Sequence, residues 1–96
     1  MFVNIIQFPP IKTGKDDEFR QWFIDSNAEY AKHKGFISRR LLKSRQSGKY
    51  VGLVEHETYE TFMTMHKSPT QAELRNRSLD LFDGDPTPDF LDMVLG

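Results

Sequence analysis

The stretch Phe36-Ile37-Ser38-Arg39-Arg40-Leu41-Leu42-Lys43 has strand length, and the polar run Ser44-Arg45-Gln46-Ser47-Gly48 separates it from Tyr50-Val51-Gly52-Leu53-Val54-Glu55-His56-Glu57. Two apolar runs joined by a short polar turn predict a β-hairpin in the middle of the chain. Upstream of it, Phe19, Trp22, Phe23, Ser26, Tyr30 and Ala31 recur at helical spacing, with Arg20, Gln21, Asp25 and Glu29 elsewhere. The helix is expected to begin near Asp16, where Asp16, Asp17 and Glu18 suit the positive end of its dipole. It is expected to close with Lys32-His33-Lys34 in its last turn and Gly35 as a left-handed terminator. Before it, Phe2–Phe8 is apolar on both parities except at Asn4 and Gln7, and Pro9-Pro10 ends a first strand.

Downstream of the hairpin, Thr58 can cap a short helix carrying Phe62, Met63 and Met65. Ser68-Pro69-Thr70-Gln71 then supplies an N-cap, a proline at the first helical position and a capping-box glutamine. The inward residues of that segment read as Ala72, Leu74, Leu79, Leu81 and Phe82. Asp83-Gly84-Asp85-Pro86-Thr87-Pro88 reads as a loop, and Phe90–Leu95 as the last strand. The order is βαββαβ, an α+β, ferredoxin-like arrangement with a four-stranded antiparallel sheet and the helices on one face. Apolar residues on both parities of the first and third strands predict cover for the helix-free face, and a second copy, giving a homodimer, is the simplest cover.

Ninety-six residues, 38% apolar and 28% charged, describe one domain over 1–96. A net charge of -1 provides no basic field for a phosphate backbone, so nucleic acid is not an expected partner. Without an apolar run of membrane-spanning length or a basic segment before the short apolar start, a cytoplasmic location away from membranes is expected. The absence of cysteine removes disulfides, thiolate metal sites and a cysteine nucleophile. His33, His56 and His66 show no metal-ligand spacing with each other or with nearby acids, and no nucleophile elbow or phosphate loop occurs.

The segments Phe2-Val3-Asn4-Ile5-Ile6-Gln7-Phe8, Ile11-Lys12-Thr13-Gly14-Lys15 with Phe19, Gly35-Phe36, and Val54-Glu55-His56-Glu57 with Phe62 and Ser68-Pro69, taken in this order and spacing, resemble the antibiotic biosynthesis monooxygenase domain family. The resemblance spans nearly the whole chain. It implies a dimeric α/β barrel, and for activity a cofactor-independent monooxygenase acting on a small aromatic or quinol substrate in an apolar cleft between sheet and helices. The family also contains haem-degrading members, and many members without demonstrated activity. The sequence departs from the family pattern at two points. His56 stands where many members have tryptophan, and Met65 stands where they have histidine, with His66 one residue later. The positions matching the asparagine, tryptophan and histidine of the haem-degrading branch are here Gln7 or Asn4, Met65 and Arg75, so haem degradation is not assigned.

Within that frame His56 is the expected base for a phenolic proton, against the plainer reading of a hydrogen-bonded strand histidine. Asn4 or Gln7 would hold a substrate oxygen or dioxygen; they lie on opposite strand faces, so only one can face a given cavity. Trp22 and Phe23, with Phe19 and Tyr30, would wall an aromatic cleft, and Phe62, Met65 and His66 its other side, against the plainer reading that the aromatics, Phe62 and Met65 are core. Arg39 and Arg40 also point to opposite faces; Arg40 is the expected contact for a ligand carboxylate. No metal and no cofactor is expected. The rival readings are a non-catalytic dimeric module for a small hydrophobic ligand and, third, a haem-binding protein.

Overall fold

The computed structural model spans residues 1–96 and consists of β1 (Phe2–Gln7), α1 (Asp16–Tyr30), β2 (Phe36–Lys43), β3 (Tyr50–His56), α2 (Tyr59–His66), α3 (Pro69–Ser78) and β4 (Thr87–Asp92). The four strands form one antiparallel sheet in the order β2-β3-β1-β4. This is the ferredoxin-like α+β arrangement, with the second helical crossover split in two.

Strand parity divides the sheet into two unlike faces. Phe2, Asn4 and Ile6 of β1 stand opposite His56, Val54 and Gly52 of β3 on the face under the helices. Val3, Ile5 and Gln7 stand opposite Glu55, Leu53 and Val51 on the other. Two hydrophobic clusters occupy the covered side. One joins Phe2, Tyr30, Val54, Phe62, Met65 and Leu74; the other joins Phe8, Phe19, Phe23, Tyr50, Leu81 and Phe82. The helix-free face keeps Val3, Ile5, Val51 and Leu53 half-buried and Leu42 and Leu91 exposed.

Several boundaries differ from the sequence reading, each for a local reason. α1 stops at Tyr30 rather than carrying Lys32-His33-Lys34, because the chain tightens into turns in which Lys32 N donates to Glu29 O and His33 N to Tyr30 O. Gly35 then takes φ +85 and accepts from Glu57 N at 2.8 Å. A Cβ there would lie 2.4 Å from Thr61 Oγ1, so glycine is required by space as well as by backbone conformation.

α2 carries its cap as expected, with Thr58 and Thr61 forming a reciprocal capping box. At α3, Ser68 caps and Pro69 opens the helix, but the Gln71 side chain turns away from the cap to accept from Tyr30 Oη. Ala72 and Leu79 are exposed rather than inward. The last strand begins at Thr87, inside the expected loop, and ends at Asp92. It is an edge strand, where Pro88 can be accommodated because a missing N–H can face outward without breaking a central ladder.

Candidate active site

A cavity of about 500 Å³ lies between the sheet and the helices where the two clusters meet, and residues of both line it. Its floor is built by register: Asn4 stands opposite Val54, and Val54 opposite Arg39, so β1, β3 and β2 present one row to the cavity. Trp22 and Tyr30 come from α1, Phe62, Met65 and His66 from α2, and Gln71, Arg75 and Ser78 from α3. The volume, and a lining that combines the rings of Phe8, Trp22, Tyr30, Phe36, Phe62 and Phe82 with several polar and charged side chains, have the character of a small-molecule site.

The polar groups are fixed by specific contacts. Trp22 Nε1 donates to Leu74 O at 2.9 Å, which ties α1 to α3. Tyr30 Oη donates to Gln71 Oε1, and burial pushes the phenol pKa up although the Arg39 charge opposes this. The Arg39 guanidinium is buried among the Trp22, Phe23 and Tyr30 rings, and through Nη1 it donates to Ser26 Oγ at 2.6 Å and Asn27 Oδ1 at 2.8 Å. Burial holds its pKa down to about 10, so it remains a cation at neutral pH. Asn4 Oδ1 is buried and has no hydrogen-bond donor. His66 is exposed on one side and stacks on Phe62 with ring centroids 5.4 Å apart; partial desolvation first, then Arg75 and Lys67, lower its pKa.

Of the residues singled out from sequence, Asn4, Trp22, Tyr30, Phe62, Met65 and His66 line this one cavity. Phe19 is buried in the core outside the lining, and four others also lie elsewhere. Gln7 is exposed on the helix-free face beside Val51 and Thr87. Arg40 is also on that face, paired with Glu55 at 3.9 Å, and it is Arg39 that turns inward. Phe23 lies behind the cavity wall, with the Arg39 guanidinium 4.0 Å from its ring centre.

His56, expected as the base, is wholly buried and forms no part of the lining. The Phe36 and Phe62 rings lie 5.9 and 5.7 Å from its own, and Nδ1 lies 3.1 Å from Thr61 Oγ1. That placement separates it from any ligand in the cavity. Arg39, with Tyr30 beside it, is the functional-site candidate that sequence spacing did not select. A register shift between Phe36 and Ser38 sets the parity of everything after it in β2, and adjacent arginines alone do not reveal that shift.

No family model and no curated protein matches the sequence. Solved structures do match along the whole chain. Rv0793 from Mycobacterium tuberculosis superposes with a TM-score of 0.83 at 16% identity, over 99% of this chain and 96% of that one. SnoaB, a cofactor-independent oxygenase from Streptomyces nogalater, gives 0.78 at 20% identity, over 99% and 92%. An antibiotic biosynthesis monooxygenase gives 0.81 at 16% identity, over 99% and 100%. The chain therefore has the fold of the antibiotic biosynthesis monooxygenase structures. No helix is long and apolar enough to cross a membrane, and no group of three or more His, Asp or Glu side chains could hold a metal ion.

Proposed function

We propose that the protein is a monooxygenase that needs no cofactor and oxidises a small hydroquinone-like aromatic in the cavity between sheet and helices. The observation that carries this reading is the pairing of an aromatic-walled cavity of about 500 Å³ with an unpartnered amide oxygen at Asn4 and a histidine held toward its neutral form at His66. The shared fold with SnoaB, a cofactor-independent oxygenase, supports it.

His66 takes the role first expected of His56. Its lowered pKa keeps the ring neutral at pH 7, so it can accept a proton from a substrate hydroxyl, while Asn4 Oδ1 accepts the hydrogen bond of a second hydroxyl. The resulting anion passes one electron to dioxygen, and the ring radical and superoxide join in a C–O bond. The peroxide then takes the proton back from His66; the C–H bond at the oxygenated carbon next gives up its proton, its electron pair forms the new C=O as the O–O bond breaks, and the departing hydroxide leaves with that proton as water. One oxygen atom stays on the ring and the other leaves in water, so hydroquinone and dioxygen give hydroxyquinone and water. Trp22, Phe62 and Met65 keep the anion away from bulk solvent.

We also place a homodimer in this reading, with two sheets packed through the face carrying Val3, Ile5, Val51 and Leu53, and a cytoplasmic setting. Oxygen uptake with a panel of reduced quinones tests the activity. Uptake above autoxidation that falls about 10²–10⁴-fold in His66→Gln, with binding retained, is the expected result. A flat trace with every compound, together with measurable binding, would replace the enzyme with a binding module for small aromatic ligands.

A further inference from the structure

Arg39 is a buried cation without a counter-ion. None of the chain's ion pairs includes it. Its hydrogen bonds all leave from Nη1, to Ser26 Oγ, Asn27 Oδ1 and, at 3.4 Å, Phe23 O. These are neutral acceptors, and Nε and Nη2 donate to nothing within the chain. Three aromatic faces, at 4.0 to 5.6 Å, supply the remaining stabilisation. An uncompensated buried charge is costly, and a cation kept beside a cavity invites an anion into it. The acids in the lining do not fill that role: Asp85 is exposed and engaged by Arg75 at 3.2 Å, and Asp83 by Lys12 at 3.6 Å.

The second observation is Asn4, at the other end of the same cross-strand row. Its orphan Oδ1 requires a donor, and its Cα lies two strand spacings, about 10 Å, from that of Arg39. Between them Val54 offers an apolar floor. The row thus reads as acceptor, apolar surface, forked cation.

We propose that the cavity selects a hydroxylated aromatic carboxylate: the free Nε and Nη2 edge of Arg39 receives the carboxylate, the rings lie over Val54, and a ring hydroxyl donates to Asn4 Oδ1. The inference rests on the cavity being the substrate site and names the class of substrate. Arg39 is then a specificity residue. A guanidinium edge matches a carboxylate with two parallel hydrogen bonds, which a neutral amide of the same shape cannot reproduce.

The test compares 1,4-dihydroxy-2-naphthoate with its primary amide. Binding is measured without oxygen by calorimetry, with quenching of Trp22, the single tryptophan, as a second readout. Oxygen uptake is followed separately in air. The acid is expected to bind at least about tenfold tighter than the amide. Arg39→Met should remove that preference, with unchanged circular dichroism showing that the variant folds; Arg39→Lys should keep part of it. The acid–amide comparison in the unaltered protein stands even if Arg39→Met fails to fold. Equal affinity for the two compounds, or no binding of the acid, overturns the proposal. Preference for the acid without oxygen uptake supports the anion site and removes the oxygenase reading, whereas uptake with equal affinities does the reverse.

Discussion

Trp22 Nε1 donates to the carbonyl oxygen of Leu74 across 52 residues of sequence, and it joins α1 to α3, both of which line the cavity. α1 carries the indole and α3 the carbonyl, so the bond acts as a strut between them. Trp22→Phe removes the donor and part of the wall. It is expected to cost about 1–2 kcal/mol in urea denaturation, roughly one hydrogen bond plus lost packing. Ligand affinity should fall with it. A stability unchanged within error would show that the strut carries no energy.

Gly35 is held by two independent constraints. Its φ of +85 disfavours any side chain, and an added Cβ would meet Thr61 Cβ and Oγ1 at 2.4 Å. Gly14, with φ +80, has nothing within 4 Å of the same position and isolates the backbone component. Gly14→Ala should therefore cost about 1 kcal/mol, and Gly35→Ala about 2–4 kcal/mol, because the clash adds to the strain. Equal midpoint shifts for the two variants would mean that α2 moves aside freely.

The fold was legible because hairpin, caps and helix periodicity agree with one another: Ser44–Gly48 marks the turn, Thr58 and Ser68 mark helix starts, and Pro69 sits where its missing N–H costs nothing. β4 was harder to place. Its residues are all exposed, so no burial alternation marks Thr87–Asp92, and Pro88 resembles a loop signal. At the site, Trp22, Phe62 and Met65 followed from helix faces, which depend on spacing alone, whereas His66 was singled out only through its offset from the family's histidine. Choices between strand neighbours depended on parity. Asn4 and Gln7 remained open until β1 was paired, and Arg39 could not be separated from Arg40 before the irregularity at Phe36–Ser38 fixed β2. His56 failed as a candidate for a different reason. The strand brings it to the covered face, yet Phe36 and Phe62 stand around it.

The helix-free face offers a direct test of the proposed dimer. Ile5 and Leu53 are register partners at the centre of that face, and Val3 and Val51 flank them. Leu53→Lys would place two like charges near the symmetry axis of any sheet-to-sheet pair, desolvated and unpaired. Light scattering should then report a monomer where the unaltered chain gives a dimer. A variant that still elutes as a dimer would move the interface to another surface.

His56 and His66 both have pKa values lowered below the ordinary imidazole value of 6.5, with burial the largest cause for each. For His56 the structure supplies a further reason. Thr61 Oγ1 already donates to Thr58 O at 3.0 Å, so it accepts from His56 Nδ1–H, and Nε2 is left as a buried lone pair without a partner. Protonation would add an N–H there with nothing to receive it. The folded state thus favours the neutral ring, while the unfolded chain takes up protons from about pH 6.5 downward. The stabilisation is complete above pH 6.5 and is lost as pH falls through the folded-state values. Urea midpoints should accordingly be level between pH 8 and 7 and decline by pH 5.5. His56→Gln, which cannot titrate, should start lower but decline less steeply. Parallel pH profiles for the two proteins would locate the acid sensitivity elsewhere in the chain.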